Sequence, residues 1–164
     1  MRAELLMDLQ IIRTRHPPEA FLPQIANLIE QAGLPATPEA VGRRLQRLPA
    51  ADRLLLAVDG EQLIGYAHLR IGNDLVYEET AELMSIIVRA SHRRRGIGRR
   101  LVTAAESWAV QSGRARLLMR TEVVRTAAHA FFVALGFRET STNVEFVRDL
   151  EAARRSESPT QPSP

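Results

Sequence analysis

The apolar run Ile86-Ile87-Val88 is followed within five residues by Arg93-Arg94-Arg95-Gly96-Ile97-Gly98-Arg99-Arg100, and then by Leu101, Ala105 and Trp108 at helical spacing. A buried strand that passes through a glycine turn into an amphipathic helix leaves few possible folds, because it sets a helix start at the end of a strand. The first amides of a helix have no internal partners and lie at the positive end of its dipole. Glycine lets the oxygens of an anion approach that backbone, and flanking arginines add charge-assisted, forked contacts. The segment therefore predicts an anion cradle that suits a pyrophosphate or a phosphate monoester.

Other glycine-loop motifs do not match. No Gly-Lys-Ser/Thr follows, so the loop is not a Walker P-loop, and Leu101 stands where a dinucleotide fingerprint needs its third glycine. Taken alone, an arginine-glycine cluster is equally a solvated helix start or a nucleic-acid patch, and only its strand-loop-helix context favours the cradle. The net charge of +3 argues against nucleic acid as the partner. With no cysteines and four histidines (His16, His68, His92 and His129) without ligand spacing, a disulfide framework, a thiolate metal site and a cysteine nucleophile are not expected. The N-terminal residues lack a continuous apolar stretch and no run reaches membrane-span length, which makes a cytoplasmic protein without membrane attachment the expectation.

At 164 residues with 45% hydrophobic content the chain is the size of one domain, expected over residues 1–150 with a flexible tail at 151–164. Along it, Leu9 to Arg13 reads as a strand. Pro23 opens a helix that ends near Gly33, with Leu22, Ala26 and Ile29 inward. Thr37 and Pro38 cap a second helix that carries Val41, Leu45 and Leu48 on one face. Arg53–Val58 and Gln62–Ile71 flank Asp59-Gly60 as a hairpin, and Thr80–Val88 is the next strand. Gly113 stops the helix after the arginine loop. Arg116–Val123 reads as a strand, and Thr126 caps a helix with Ala128, Phe131, Phe132 and Leu135 inward. A final strand pair is expected around Phe137–Thr140 and Val144–Arg148, giving the order β-α-α-β-β-β-α-β-α-β-β.

Arg93-x-x-Gly96-x-Gly98 after a strand resembles the acetyl-CoA motif of the GNAT superfamily of N-acetyltransferases. The block Arg125-Thr-Ala-Ala-His-Ala-Phe-Phe-Val-Ala-Leu-Gly-Phe137 resembles the family's later helix. The resemblance covers Leu54 to Arg148. It implies an α/β fold, a mixed and largely antiparallel sheet flanked by helices and splayed between the strands at Val88 and Met119. It also implies acetyl-CoA as acyl donor: backbone at Ile86, Ile87 and Val88 pairing with the pantetheine arm, and the loop of Arg93, Arg94, Arg95, Gly96, Ile97, Gly98 and Arg99 holding the pyrophosphate. Two positions depart from the family pattern. Arg125 replaces the usual asparagine, and Phe132 stands where many members place a tyrosine that protonates the thiolate, so Phe132 is expected to pack against cofactor or core.

Acetyl transfer to an amine needs a neutral nucleophile and hence a general base, often acting through water. Glu82 is the leading candidate, at the position where the histone-acetylating branch carries its glutamate. Simple alternation puts it on one face with Met84, Ile86 and Val88. Glu122 is the alternative base, and His129 and Tyr77 are weaker proton-transfer candidates. Arg120 occupies the position of the glutamate of ribosomal-protein acetylating members, which argues against that subtype. Glu78 and Glu79 are placed to attract a cationic amine. The expected reaction is direct transfer to a primary amine of a small molecule or peptide, with a homodimer as an open possibility. The alternatives are a non-catalytic CoA-binding regulatory module on the same fold and a nucleic-acid binder driven by the arginines.

Overall fold

The computed structural model describes residues 8–73, 75–76, 78–122 and 124–151. The expected tail beyond Glu151 and the candidate Tyr77 lie outside them. By internal contacts the chain separates into two units, residues 1–121 and 122–164.

The first unit is a five-stranded sheet in the order β1-β2-β3-β4-β5, made of β1 (Gln10–Thr14), β2 (Arg53–Asp59), β3 (Gln62–Gly72), β4 (Thr80–Val88) and β5 (Leu117–Met119). The first four pair antiparallel, and β5 pairs with β4 in parallel. A parallel neighbour requires a crossover, which α3 (Ile97–Gln111) supplies. The hairpin turn falls on Gly60 and Glu61, one residue later than the Asp59-Gly60 reading, with Gly60 at φ +59°.

The two helices between β1 and β2 form where expected. α1 (Leu22–Gln31) has proline in its first turn, and in α2 (Pro38–Gln46) the Thr37 hydroxyl accepts the Ala40 amide at 3.2 Å. They cover one face of the sheet, burying Ile25, Leu28 and Val41 against Leu54, Leu56, Leu63 and Tyr66. Each fully buried leucine there contributes roughly 1.5–3 kcal/mol by its removal from water. α3 covers the opposite face with Leu101, Ala105 and Trp108. A Cβ on Gly65 would stand 3.4 Å from Leu101 Cδ1 and 2.9 Å from the carbonyl oxygen of Ile87, so only glycine allows this approach of strand to strand and helix.

In the second unit α4 (Thr126–Ala134) begins one residue earlier than a Thr126 cap implies. Arg125 takes the cap position, its carbonyl accepting the amides of Ala128 and His129 at 3.1 and 3.2 Å. Phe132 is buried and stacks edge-on against Phe131 and Phe137, with centroids 5.1 and 5.2 Å away. The expected final strand pair is not formed: neither Phe137–Thr140 nor Val144–Arg148 joins a ladder among the described residues, and Val144, Phe146 and Val147 are exposed. Apolar alternation identifies a strand only where a partner edge exists. The connecting Ser141-Thr142-Asn143 carries no glycine to turn tightly, and an isolated hairpin is marginal at best. Of the strand expected over Arg116–Val123, Leu117–Met119 forms β5, and Val123 lies outside the described residues.

Candidate active site

β4 and β5 share only three pairs, Ala81 with Leu117, Glu82 with Leu118 and Leu83 with Met119. Beyond Leu83, β4 continues through Met84, Ser85, Ile86, Ile87 and Val88 without a β5 partner, so the expected splay is present. At its far end Arg89 is locked in place. Its amide donates to the Ile64 carbonyl at 2.8 Å, and its guanidinium donates to that of Leu63 at 2.8 and 3.2 Å.

The arginine loop begins as a single 3-10 turn, Ala90–His92. Gln31 of α1 accepts the Ala90 amide at 2.9 Å, and Arg93 Nε donates back to the Val88 carbonyl at 3.1 Å. Arg94 and Gly96 then take positive φ angles of 63° and 80°, and Gly96 becomes the N-cap of α3. None of the amides from Arg94 to Arg99 meets a protein acceptor in hydrogen-bond geometry among the described residues. The next one, Arg100, donates to Gly96 at 3.1 Å. Six successive free donors at the positive end of a fifteen-residue helix, with open space beside the Gly96 Cα, are what a diphosphate requires. The flanking side chains of Arg93, Arg94, Arg95 and Arg99 lie at the surface.

His92, inside this cationic segment, has its pKa lowered from the ordinary 6.5 by burial and by the Arg95 and Arg89 guanidiniums, partly offset by Asp59. The unfolded chain therefore takes up the proton first as pH falls. Wild type is expected to lose stability relative to His92→Gln as pH drops through 6.5, levelling off below the folded pKa. Denaturant titrations of both proteins between about pH 8 and about pH 5 check this, and parallel curves would contradict it.

Glu82 sits at the mouth of the splay. It lines a cleft of about 60 Å³ with Leu83, Met84, Leu118 and Arg120, room for a few waters. One carboxylate oxygen accepts from Arg120 Nη1 at 2.8 Å, with Glu82 14% and Arg120 62% exposed. The face expected from alternation is corrected by a β-bulge. β3 pairs Leu69 with Leu83 but His68 with Ser85, leaving Met84 as the extra residue. The bulge reverses the pattern after Leu83, so Glu82 shares its face with Ser85, Ile87 and, across the ladder, Arg70 and His68. Ile86 and Val88 point to the other side, toward α3.

Glu122 stands in the second unit before α4, not at a strand end. It is exposed and pairs with Arg125 Nε at 3.2 Å, and its carbonyl binds His129 Nε2 at 3.0 Å. Glu79 pairs with Arg114, whereas no ion pair involves Glu78 among the described residues.

The family model for the acetyltransferase (GNAT) family matches residues 22–137, which include the splayed β4, the arginine loop and the later helix. The chain belongs to the GNAT family. Acetyl-CoA is the acyl donor of these acetyltransferases, and the free amides of the Arg94–Arg99 segment fit its diphosphate. The chain is 31% identical over 102 residues to an aminoglycoside N(6')-acetyltransferase type 1 of Stenotrophomonas maltophilia, a match that covers 60% of this chain and 66% of that protein. To the enzyme of the same name from Klebsiella aerogenes it is 35% identical over 96 residues, covering 57% of this chain and 62% of that protein. These matches span less than two thirds of each relative's length. Among solved structures, the aminoglycoside N-acetyltransferase AAC(6')-Iy in complex with CoA superposes with a TM-score of 0.74 at 22% identity, covering 86% of this chain and 95% of that one. A transcriptional regulator from Bacillus halodurans superposes equally well, at 0.74 and 20% identity, covering 86% and 100%. At these identities the likeness concerns the GNAT fold alone.

The sequence reading missed one group on the Glu82 face. Asp52, immediately before β2, is 1% exposed and is the only charged residue buried among the described residues. Its carboxylate meets His68 Nε2 at 2.7 Å and Arg70 Nε and Nη2 at 3.1 and 3.0 Å. The only available signal was the alternation of His68 and Arg70 on a strand whose other inward residues are apolar.

Proposed function

We propose that this GNAT protein transfers the acetyl group of acetyl-CoA directly to a primary amine of a small, cationic molecule, with aminoglycosides as the first acceptors to test. The observation that carries the reading is the free-amide cradle on α3 at the end of a β4 strand that has no β5 partner beyond Leu83 among the described residues, with a carboxylate, Glu82, at its mouth. The names of the curated relatives support the acceptor class.

In this reading the cradle holds the diphosphate, and backbone of Ile86, Ile87 and Val88 pairs with the pantetheine arm as an added strand. Arg120, mostly solvent-exposed, gives up Glu82 when the acceptor's ammonium arrives, an exchange of one cation for another on the same oxygen. Glu82 thus holds the acceptor, and it is one of two groups on that face able to take its proton, the other being His68. Glu122 remains an alternative only through its own unit, where Arg125 already engages it.

An assay of CoA release with a panel of aminoglycosides, polyamines and amino acids tests the proposal. Wild type is expected to turn over with at least one polycationic amine. Glu82→Gln is expected to raise KM for that amine about tenfold or more, with KM for acetyl-CoA unchanged. Binding of acetyl-CoA without transfer to any amine would favour the second reading, a regulatory CoA-binding module, to which Phe132 in place of the family's usual tyrosine lends support.

A further inference from the structure

Asp52 immediately precedes β2 and ties its start to β3. Arg70 alone supplies the countercharge and three hydrogen-bond contacts for this task, Nε to both carboxylate oxygens and Nη2 to one. His68 adds a second residue at 2.7 Å, held through Nε2. Its other ring nitrogen, Nδ1, has no hydrogen-bond partner among the described residues, and the side chain is 17% exposed. A buried carboxylate behind one ring nitrogen with the other ring nitrogen free is the arrangement that orients an imidazole as a proton acceptor.

Its placement suits the chemistry. His68 pairs across the ladder with Ser85, the first β4 residue beyond the bulge, where β4 has already parted from β5. Directly opposed residues stand about 5 Å apart at Cβ. Glu82, on the same face as His68 and opposite Arg70, lines the cleft, which has room for a water to bridge toward the ring. The charged and titratable groups around it are Asp52, Arg70 on β3, Glu82 on β4, the Tyr66 hydroxyl beside Ser85, and Arg44 on α2. Burial raises the pKa of Tyr66, which keeps that hydroxyl neutral.

We propose that His68, oriented by Asp52, is a further catalytic residue that takes the proton of the acceptor amine through water and returns it to the departing thiolate. The inference rests on the amine-acetylating reading. The acceptor's ammonium first releases one proton through water to solvent, and the neutral amine nitrogen then forms a bond to the acetyl carbon as the carbon–sulfur bond breaks. One amine proton passes to Nδ1 of His68, and the resulting imidazolium protonates the sulfur, so that amide and CoA thiol are the products and the imidazole is regenerated. One ring thus supplies both base and acid, and no tyrosine at position 132 is required.

The test is a pH–rate profile of the wild type, His68→Gln and Glu82→Gln with an accepted amine, alongside thermal melts. His68→Gln is expected to lower kcat about a hundredfold and to flatten the acid limb, with both KM values within about twofold of wild type. Glu82→Gln is expected to keep that limb. Unchanged kcat and acid limb in folded His68→Gln would overturn the inference and leave the acetyltransferase reading standing; acetyl-CoA binding with no transfer by wild type would overturn both. Nitrogen NMR of the wild-type imidazole needs no variant. The neutral ring is expected to carry its proton on Nε2, facing Asp52, and a neutral tautomer with the proton on Nδ1 overturns the inference.

Discussion

Gly96→Glu is expected to raise the Kd for acetyl-CoA at least about a hundredfold, a loss of about 2.7 kcal/mol, as measured by calorimetry. Two effects add. Gly96 holds φ +80° at the head of α3, where any L side chain costs about 1–2 kcal/mol. The new carboxylate would also stand among the free amides of Arg94 to Arg99 and compete for them as an internal anion. Nothing lies within 4 Å of the point a Cβ on Gly96 would occupy, so the variant is not expected to disturb packing. Gly113→Glu provides the control, since Gly113 sits beyond the C-terminal end of the same helix with φ +73° and equally open surroundings. It carries a similar strain and is expected to bind acetyl-CoA like wild type. Equal binding by wild type and Gly96→Glu would refute the cradle.

Asp52→Ala is expected to destabilise the protein by about 3 kcal/mol, lowering Tm by on the order of 10 °C. Removing one partner of a buried polar cluster leaves the others unmatched, and here His68 and Arg70 both lose their acceptor. The loss is kept near the low end because Arg70 is 35% exposed and can turn toward water. Glu122→Ala, which breaks an exposed pair with Arg125, is expected to leave the melt unchanged. A Tm for Asp52→Ala within a degree or so of wild type would show that the cluster contributes nothing to stability.

The arginine loop was legible because its meaning is local. Gly96 and Gly98 before a helical repeat signal a positive φ and a free helix start wherever they occur, and the amides of Arg94 to Arg99 are unpaired for that reason. The hairpin, off by one residue, and Thr37 as a cap were legible for similar reasons, each following from residue types within a few positions, whereas the splay was implied by the family resemblance. The final strand pair was misread because strand formation depends on a partner edge, which Val144–Arg148 does not carry in its own pattern.

The chain's own pattern thus determined the cradle, the order of elements through α4 and the membership that the two motif blocks imply. The tertiary structure alone decided the face of Glu82 and the environment of His68. Both depend on the extra residue Met84 in the β3–β4 ladder, and a bulge arises from how two strands match in length and twist rather than from the residues of either one. Asp52 was invisible for the same reason. Its partners stand 16 and 18 positions away, and only the closing of the sheet removes its carboxylate from water and makes their hydrogen bonds necessary.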